Sequence, residues 1–435
     1  MESSRLYSQL CLCFVAVALS TAAFPADPLG LPKAKPESVG MSSERLARIA
    51  PAMESFVEDG QIPGLITAVA RDGKVVHFET YGSMDREADK AMQSDAIFRM
   101  YSMTKPVTGV AVMILYEEGH FALTDPISKY LPEFESMTVY VGQNGDKVVT
   151  QPAKRPITIL HLLTHTSGIS YDFFPHPVGQ MYTAAGLDIA GSYEKETNLE
   201  EYVKIIASQP LYGQPGEVWE YGLNMDVLGR LVEVISGQRF GDFMEERIFE
   251  PLGMVDAGFQ IADDQLGRFA ANYTPGPEGG MMLIDTPSTS LYRKDVSLYL
   301  GGAGLVCTAA DYLRFAQMLA NSGELDGARI LSPTTVDLIM TNHLASILGD
   351  RPMGSVLAGA QGVGFGFCGS VVTDVGLSGA AGSNGEYSWG GAASTNFWVD
   401  RKQRLVGLVL TQLLPAGTYP TSPRMHQMTY QAIVE

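Results

Sequence analysis

The stretch FRMYSMTKPVTGVAVMILYEEG (residues 98–119) decides the fold. Apolar residues at Val107, Val110, Ala111, Ile114 and Leu115 keep the i, i+3, i+4, i+7, i+8 spacing of a helix with one buried face. Pro106 stands near its start, where a missing N–H costs little, and Gly119 suits its end. Ser102 and Lys105 are three residues apart in the first turn, so their side chains are neighbours. A lysine beside a serine hydroxyl at a helix N-terminus can activate a nucleophile. Desolvation favours the neutral amine, which accepts a proton, and the helix end stabilises developing negative charge.

The S-x-x-K spacing is weak by itself, since about one copy is expected by chance in a chain of this length. A second copy, Ser192 to Lys195, lies in AGSYEKETNLEEYVK, whose polarity suits a surface loop and helix start. The rest of the chain has to choose between them.

At 435 residues there is room for two domains, or one large domain with an insertion. A hydrophobic content of 46% with 18% charged residues describes a globular chain with ample core. The net charge of −18, with no Lys/Arg-rich run, argues against nucleic acid and anionic membrane surfaces as partners. No internal repeat is apparent, and the low-complexity signal is a mild glycine enrichment over residues 354–391. Residues 10–24, LCLCFVAVALSTAAF, form an apolar run too short to span a bilayer, followed by Pro25. That pattern predicts a secretory signal peptide cleaved near Ala22 or Ala23, hence a secreted or periplasmic mature chain without a membrane span. Cys11 and Cys13 fall in the leader, with no lipobox before them. Cys307 and Cys368, in apolar, glycine-flanked surroundings, are expected as buried free thiols. No metal-ligand spacing occurs and the seven histidines are scattered, so neither metal nor cofactor is expected.

After a linker over residues 24–37, a helix is predicted over 43–58, then strands GLITAVARDG and KVVHFETYG turning at Asp72-Gly73. Residues 123–297 read as helix and loop, with helices in ITILHLLTHTSG, NLEEYVKIIASQ and MDVLGRLVEVISG. TAADYLRFAQMLANSG is a further helix, with Thr308 as N-cap and Asp311 in capping-box position. Three strands follow, in VGFGFCGSVVTD, EYSWGGAASTNFWVD and RLVGLVLTQLL, and a closing helix begins near Pro423. Two strands before a helical block and three after it imply an α/β (α+β) chain with one antiparallel sheet built from both ends. Its sheet domain would be residues 38–122 and 298–435, with 123–297 as an inserted, mostly helical domain. A cleft between the two parts is the expected ligand site.

Three stretches converge on one chemistry: Ser102-Met103-Thr104-Lys105, then WEYGLNMDVLG with Tyr221, then YSWGGAAS with Trp389-Gly390-Gly391. Together they resemble the serine β-lactamase and penicillin-binding protein superfamily, most closely its family VIII carboxylesterases. The resemblance runs over nearly the whole chain after about Glu37 and includes ITILHLLTHTSGIS, GGAGLVCTAADYLRFAQML and GARILSP in order and spacing. It implies a β-lactamase-like fold, Ser102 as nucleophile, Lys105 as its base partner and Tyr221 as second general base. It also implies an oxyanion hole from the backbone N–H groups of Ser102 and Ala392. The other common serine hydrolases need G-x-S-x-G, which is missing here.

Two departures from the lactamases bear on substrate. They usually carry Lys or His first in the third motif, to meet a substrate carboxylate; Trp389 stands there with an apolar face. In the second motif Leu223 replaces the usual Asn, and Asn224 comes one place late. Both changes favour a neutral ester over an anionic amide. His165 is read as structural, Asp226 as ordering the Tyr221 segment or the following helix turn, and Asn272-Tyr273-Thr274 as a glycosylation sequon. The expected function is a serine carboxylesterase for small, fairly apolar esters. The alternatives are a β-lactamase or D-amino-acid peptidase, an acyltransferase, and a binding or sensor protein acylated without turnover.

Overall fold

The computed structural model describes residues 29–145, 147–188, 197–293, 296–349 and 360–435. The expected leader and the second S-x-x-K at Ser192 lie outside the described residues.

Strands β1 (Gly64–Arg71) and β2 (Lys74–Asp85) form a hairpin. Its turn puts both Asp72 and Gly73 at positive φ, as a two-residue hairpin loop requires. Every residue of β1 is buried, which its unbroken apolar run allows because the sheet is covered on both faces. Further along come β3 (Lys90–Ala91), β4 (Val363–Phe365), β5 (Ser370–Val372), β6 (Tyr387–Gly390), β7 (Asn396–Asp400) and β8 (Leu405–Thr411). The sheet order is β4-β5-β6-β7-β8-β1-β2-β3, antiparallel throughout. The two ends of the chain meet at the β1–β8 pairing, from Leu65 opposite Thr411 to Arg71 opposite Leu405. Arg71 clasps that junction, donating to the carbonyls of Val39, Gly40, Gln403 and Glu435.

Five helices frame the site: α1 (Ile49–Glu58), α2 (Thr104–Glu117), α3 (Asn224–Ser236), α4 (Ala309–Ala320) and α5 (Thr421–Tyr430). On one face of the sheet, Met53 of α1 and Met425 of α5 pack with Trp398 of β7. On the other, α2, α3 and α4 share one large core with Ile66, Phe397 and Leu408 of the sheet. The capping box at α4 forms as the sequence predicts: Asp311 N donates to Thr308 Oγ1, and Thr308 N to Asp311 Oδ2. Cys307 and Cys368 are buried free thiols.

Four expectations are corrected. Residues 104–115 of α2 are buried on every side, so this is an encased central helix and not one with a single buried face. The helix over 43–58 breaks after Leu46 and restarts at Ile49, because Pro51 crowds the carbonyl four residues earlier. Two of the three late strands are hairpins: Cys368 turns the first at φ 63, and the loop from Gly391 to Ser394, at φ 63, turns the second. The stretch 123–297 also holds two hairpins, Thr138–Asn144 with Lys147–Pro152 and Asn272–Pro275 with Met281–Asp285. The second lies against the sheet side, with Ala271 N donating to Met84 O and Tyr273 N to Gln412 O.

Candidate active site

A 3-10 turn, Tyr101–Met103, leads into α2. Tyr101 sits at φ 45, a conformation that costs a bulky residue roughly 1–3 kcal/mol. The surroundings impose it: Asn272 Nδ2 donates to the Tyr101 hydroxyl at 2.9 Å and Thr104 Oγ1 donates to Tyr101 O at 2.6 Å. Thr104 Oγ1 in turn accepts from Leu305 N. The bend leaves Ser102 lining the cleft. Asn272 is itself buried, so its amide is closed to a glycosylating enzyme in the folded chain and the sequon reading is withdrawn.

Lys105 is fully buried, and its Nζ donates to Ser102 Oγ at 3.0 Å and to Gly302 O at 2.7 Å. It lies 4.6 Å from the ring centroid of Tyr221 and 5.3 Å from that of Tyr171, within cation–π range. The opposing charge is Asp226, in the first turn of α3, whose Oδ1 accepts from Gly302 N at 3.1 Å. Gly302 is thus held from both sides. A Cβ there would stand 3.0 Å from Asp226 Oδ2 and from Tyr171 Oη. Burial raises the Asp226 carboxyl to about 6 against the pull of Lys105. Burial, with the charges of Tyr221 and Asp226, keeps Tyr171 a protonated phenol.

Tyr221 ends the loop before α3, and Trp389 Nε1–H donates to its hydroxyl at 3.3 Å. His165 packs its ring 4.7 Å from that of Tyr221. Its Nδ1 accepts from Gly222 N, so Nδ1 carries no proton, and burial with the nearby Lys105 charge keeps the ring neutral. Asn224 turns away from the cleft, its amide engaged with His165 and Ser167. Behind Glu220, Ser170 and His176 make a group that resembles a second catalytic set. It is not one, because Ser170 Oγ donates to Glu220 Oε1 and His176 Nε2 faces the same oxygen. His176 Nδ1 accepts from Gly179 N, which leaves Nε2 protonated and unable to take the serine proton.

The third motif closes the site. A Cβ at Gly391 would stand 2.3 Å from Met100 O, so only glycine lets this strand end approach the turn before Ser102. Gly391 N donates to Thr395 O, and no backbone acceptor takes the Ala392 N–H among the described residues. Ser102, Tyr221, Trp389, Gly390, Gly391 and Ala392 line one cleft of about 450 Å³, with Lys105 beneath them. Among the described residues no charged side chain lines it, and Tyr101, Tyr171 and Phe173 add to its aromatic lining. Sequence reasoning missed Gly302, Tyr171 and Phe173. The glycine pair at 301–302 and the aromatic run in SYDFF were their only signals.

Comparison with known proteins agrees with this arrangement. The family model described as Beta-lactamase matches residues 49–427. An uncharacterized protein of Mycobacterium tuberculosis is 35% identical over 377 residues, covering 84% of this chain and 89% of its own. Esterase EstB of Burkholderia gladioli is 30% identical over 387 residues, covering 85% of this chain and 91% of its own. Among solved structures, EstCE1, described as a hydrolase with promiscuous acyltransferase activity, superposes with a TM-score of 0.71 at 26% identity. That match covers 90% of this chain and 99% of EstCE1. The chain belongs to the β-lactamase family, as a β-lactamase-fold serine hydrolase whose relatives include esterases and acyltransferases.

Proposed function

We propose that the protein is a serine carboxylesterase for small, uncharged, fairly apolar esters, exported by way of its apolar leader. The observation that carries the reading is the Lys105–Ser102 contact at the floor of an aromatic cleft with no charged lining among the described residues. Ser102 Oγ attacks the ester carbonyl, and its proton passes to the Lys105–Tyr221 pair. The oxyanion is held by the N–H groups of Ser102 and Ala392. Tyr221 returns the proton to the leaving alcohol, and water then attacks the acyl-Ser102 ester with the same groups as base. The β-lactam and D-peptide readings fall behind because their substrates carry a carboxylate and this cleft offers it no cation. An acyl-enzyme is also open to an alcohol acceptor, and the likeness to EstCE1 supports acyl transfer as a second reading.

Ser102→Ala should abolish hydrolysis of a p-nitrophenyl acyl ester series while the melting temperature stays close to wild type. A fluorophosphonate should label Ser102 alone. An unchanged rate, or labelling at another serine, would sink the assignment. Adding a short alcohol and measuring the new ester against free acid separates transfer from hydrolysis, and a burst without turnover would identify an acylated sensor.

A further inference from the structure

The cleft has two unlike walls. Successive side chains of β6 leave opposite faces of the sheet, so Trp389 points toward Tyr221 while Ser388 and Gly390 point the other way. Ser370, paired with Ser388, and Asn396, paired with Gly390, share that second face. It is the face of α5, because Trp398 pairs with the same Ser388 and packs against Met425. Pairing of β5 with β6 stops at Ser370 and Ser388, so the edge of β6 is open from Trp389 onward and the cleft passes around it.

One wall is therefore aromatic and the other is made of hydroxyls and an amide: Ser370, Ser388, Asn396 and Ser422. The Asn396 amide takes no protein partner among the described residues. It leans over the third motif, 3.0 Å from where a Cβ on Gly390 would stand. A primary amide offers two donors and an acceptor, and serine hydroxyls offer both, which suits neutral hydroxyl groups. A carboxylate or ammonium placed there would lose its hydration without gaining a counter-charge.

We propose that the ester cleaved at Ser102 has two unlike halves, an apolar one against the aromatic wall and an uncharged, hydroxylated one, glycerol- or sugar-like, read by Asn396. The inference rests on the esterase reading. The hydroxylated half is either the alcohol or the acid, and matched esters tell them apart: monobutyrylglycerol against propyl butyrate, and propyl 3-hydroxybutyrate against propyl butyrate, each by kcat/KM. One of the two hydroxylated esters should be preferred by about tenfold, the scale of one or two net hydrogen bonds. Asn396→Leu should cut that ratio by about fivefold or more. Ser422→Ala, which removes a single hydroxyl, gives the same ratio test should the leucine variant not fold. Ratios near one in both wild-type arms, or a preference that survives both substitutions, would overturn the proposal. Failure of the esterase reading looks different: all three esters would be left intact by the wild type, or cleaved as fast by Ser102→Ala.

Discussion

Trp389 gives its indole N–H to the oxygen of Tyr221, which an apolar pocket floor alone would not require. The bond leaves the tyrosine oxygen as acceptor on that side and fixes where its own proton can point. Tyr221→Phe keeps the ring and should lower kcat by about two to four orders of magnitude, the range for a positioned acid–base group. Trp389→Phe keeps an aromatic wall but has no N–H, so kcat should fall by about tenfold, one net hydrogen bond, with KM little changed. Trp389→Lys returns a donor together with a cation. The kcat/KM ratio of a chromogenic cephalosporin over a p-nitrophenyl ester should then rise by about 1–3 kcal/mol. A folded Trp389→Phe with wild-type kcat would leave the indole N–H without a role. A flat ratio in Trp389→Lys would remove the main argument for ester preference.

Among elements, the end of β6 and the turn into α2 are set against each other without a side chain between them. The Gly391 position lies 2.3 Å, Cβ to oxygen, from both Met100 O and Thr395 Oγ1. Gly391→Ala must therefore push β6 away from the Ser102 turn, carrying the Ala392 N–H with it. Activity should fall by about a hundredfold or more, the cost of misplacing an oxyanion donor, while the thermal melt shows a smaller loss. Equal activity in a folded Gly391→Ala would show that the strand end can relax. Helices α2, α3 and α4 were legible in the sequence because 3.6-residue periodicity and caps are local properties. The hairpin turns at Cys368 and Ser394 were not, since neither residue is an ordinary one for positive φ. The Lys105 partner at Gly302 is 197 positions away and offers only a carbonyl, which any residue carries. Ser102, Lys105 and Tyr221 were legible through three motifs in order. What surrounds Lys105 was not, because burial and counter-charge belong to packing.

At the scale of the molecule, buried titratable groups make stability depend on pH, and they pull in opposite directions. Burial lowers His77 and His161 to about 4, and with the Lys105 charge it also lowers His165. Below the ordinary 6.5 the unfolded chain binds protons that these folded rings refuse, so they make stability fall on acidification from 6.5 toward 4. Asp226 and Asp311 are raised from the ordinary 3.8 to about 6 by burial. An acid whose folded value is raised binds its proton more tightly in the folded chain. Its contribution is therefore fully present below about 4 and is lost as pH rises through 6. Asp226→Asn deletes one opposing contribution while keeping an oxygen for Gly302 N. The variant should match wild-type stability near pH 4 and exceed it near pH 7.5 by a few kcal/mol, since a shift of this size corresponds to roughly 3 kcal/mol. Its esterase rate should nonetheless fall, because Lys105 loses the one carboxylate that faces it through Gly302. Thermal melts of both proteins at several pH values between 4 and 8, beside their kcat, test this. A difference in melting temperature that does not change with pH would show that Asp226 does not carry a buried charge at neutral pH, and that Lys105 is balanced by some other group.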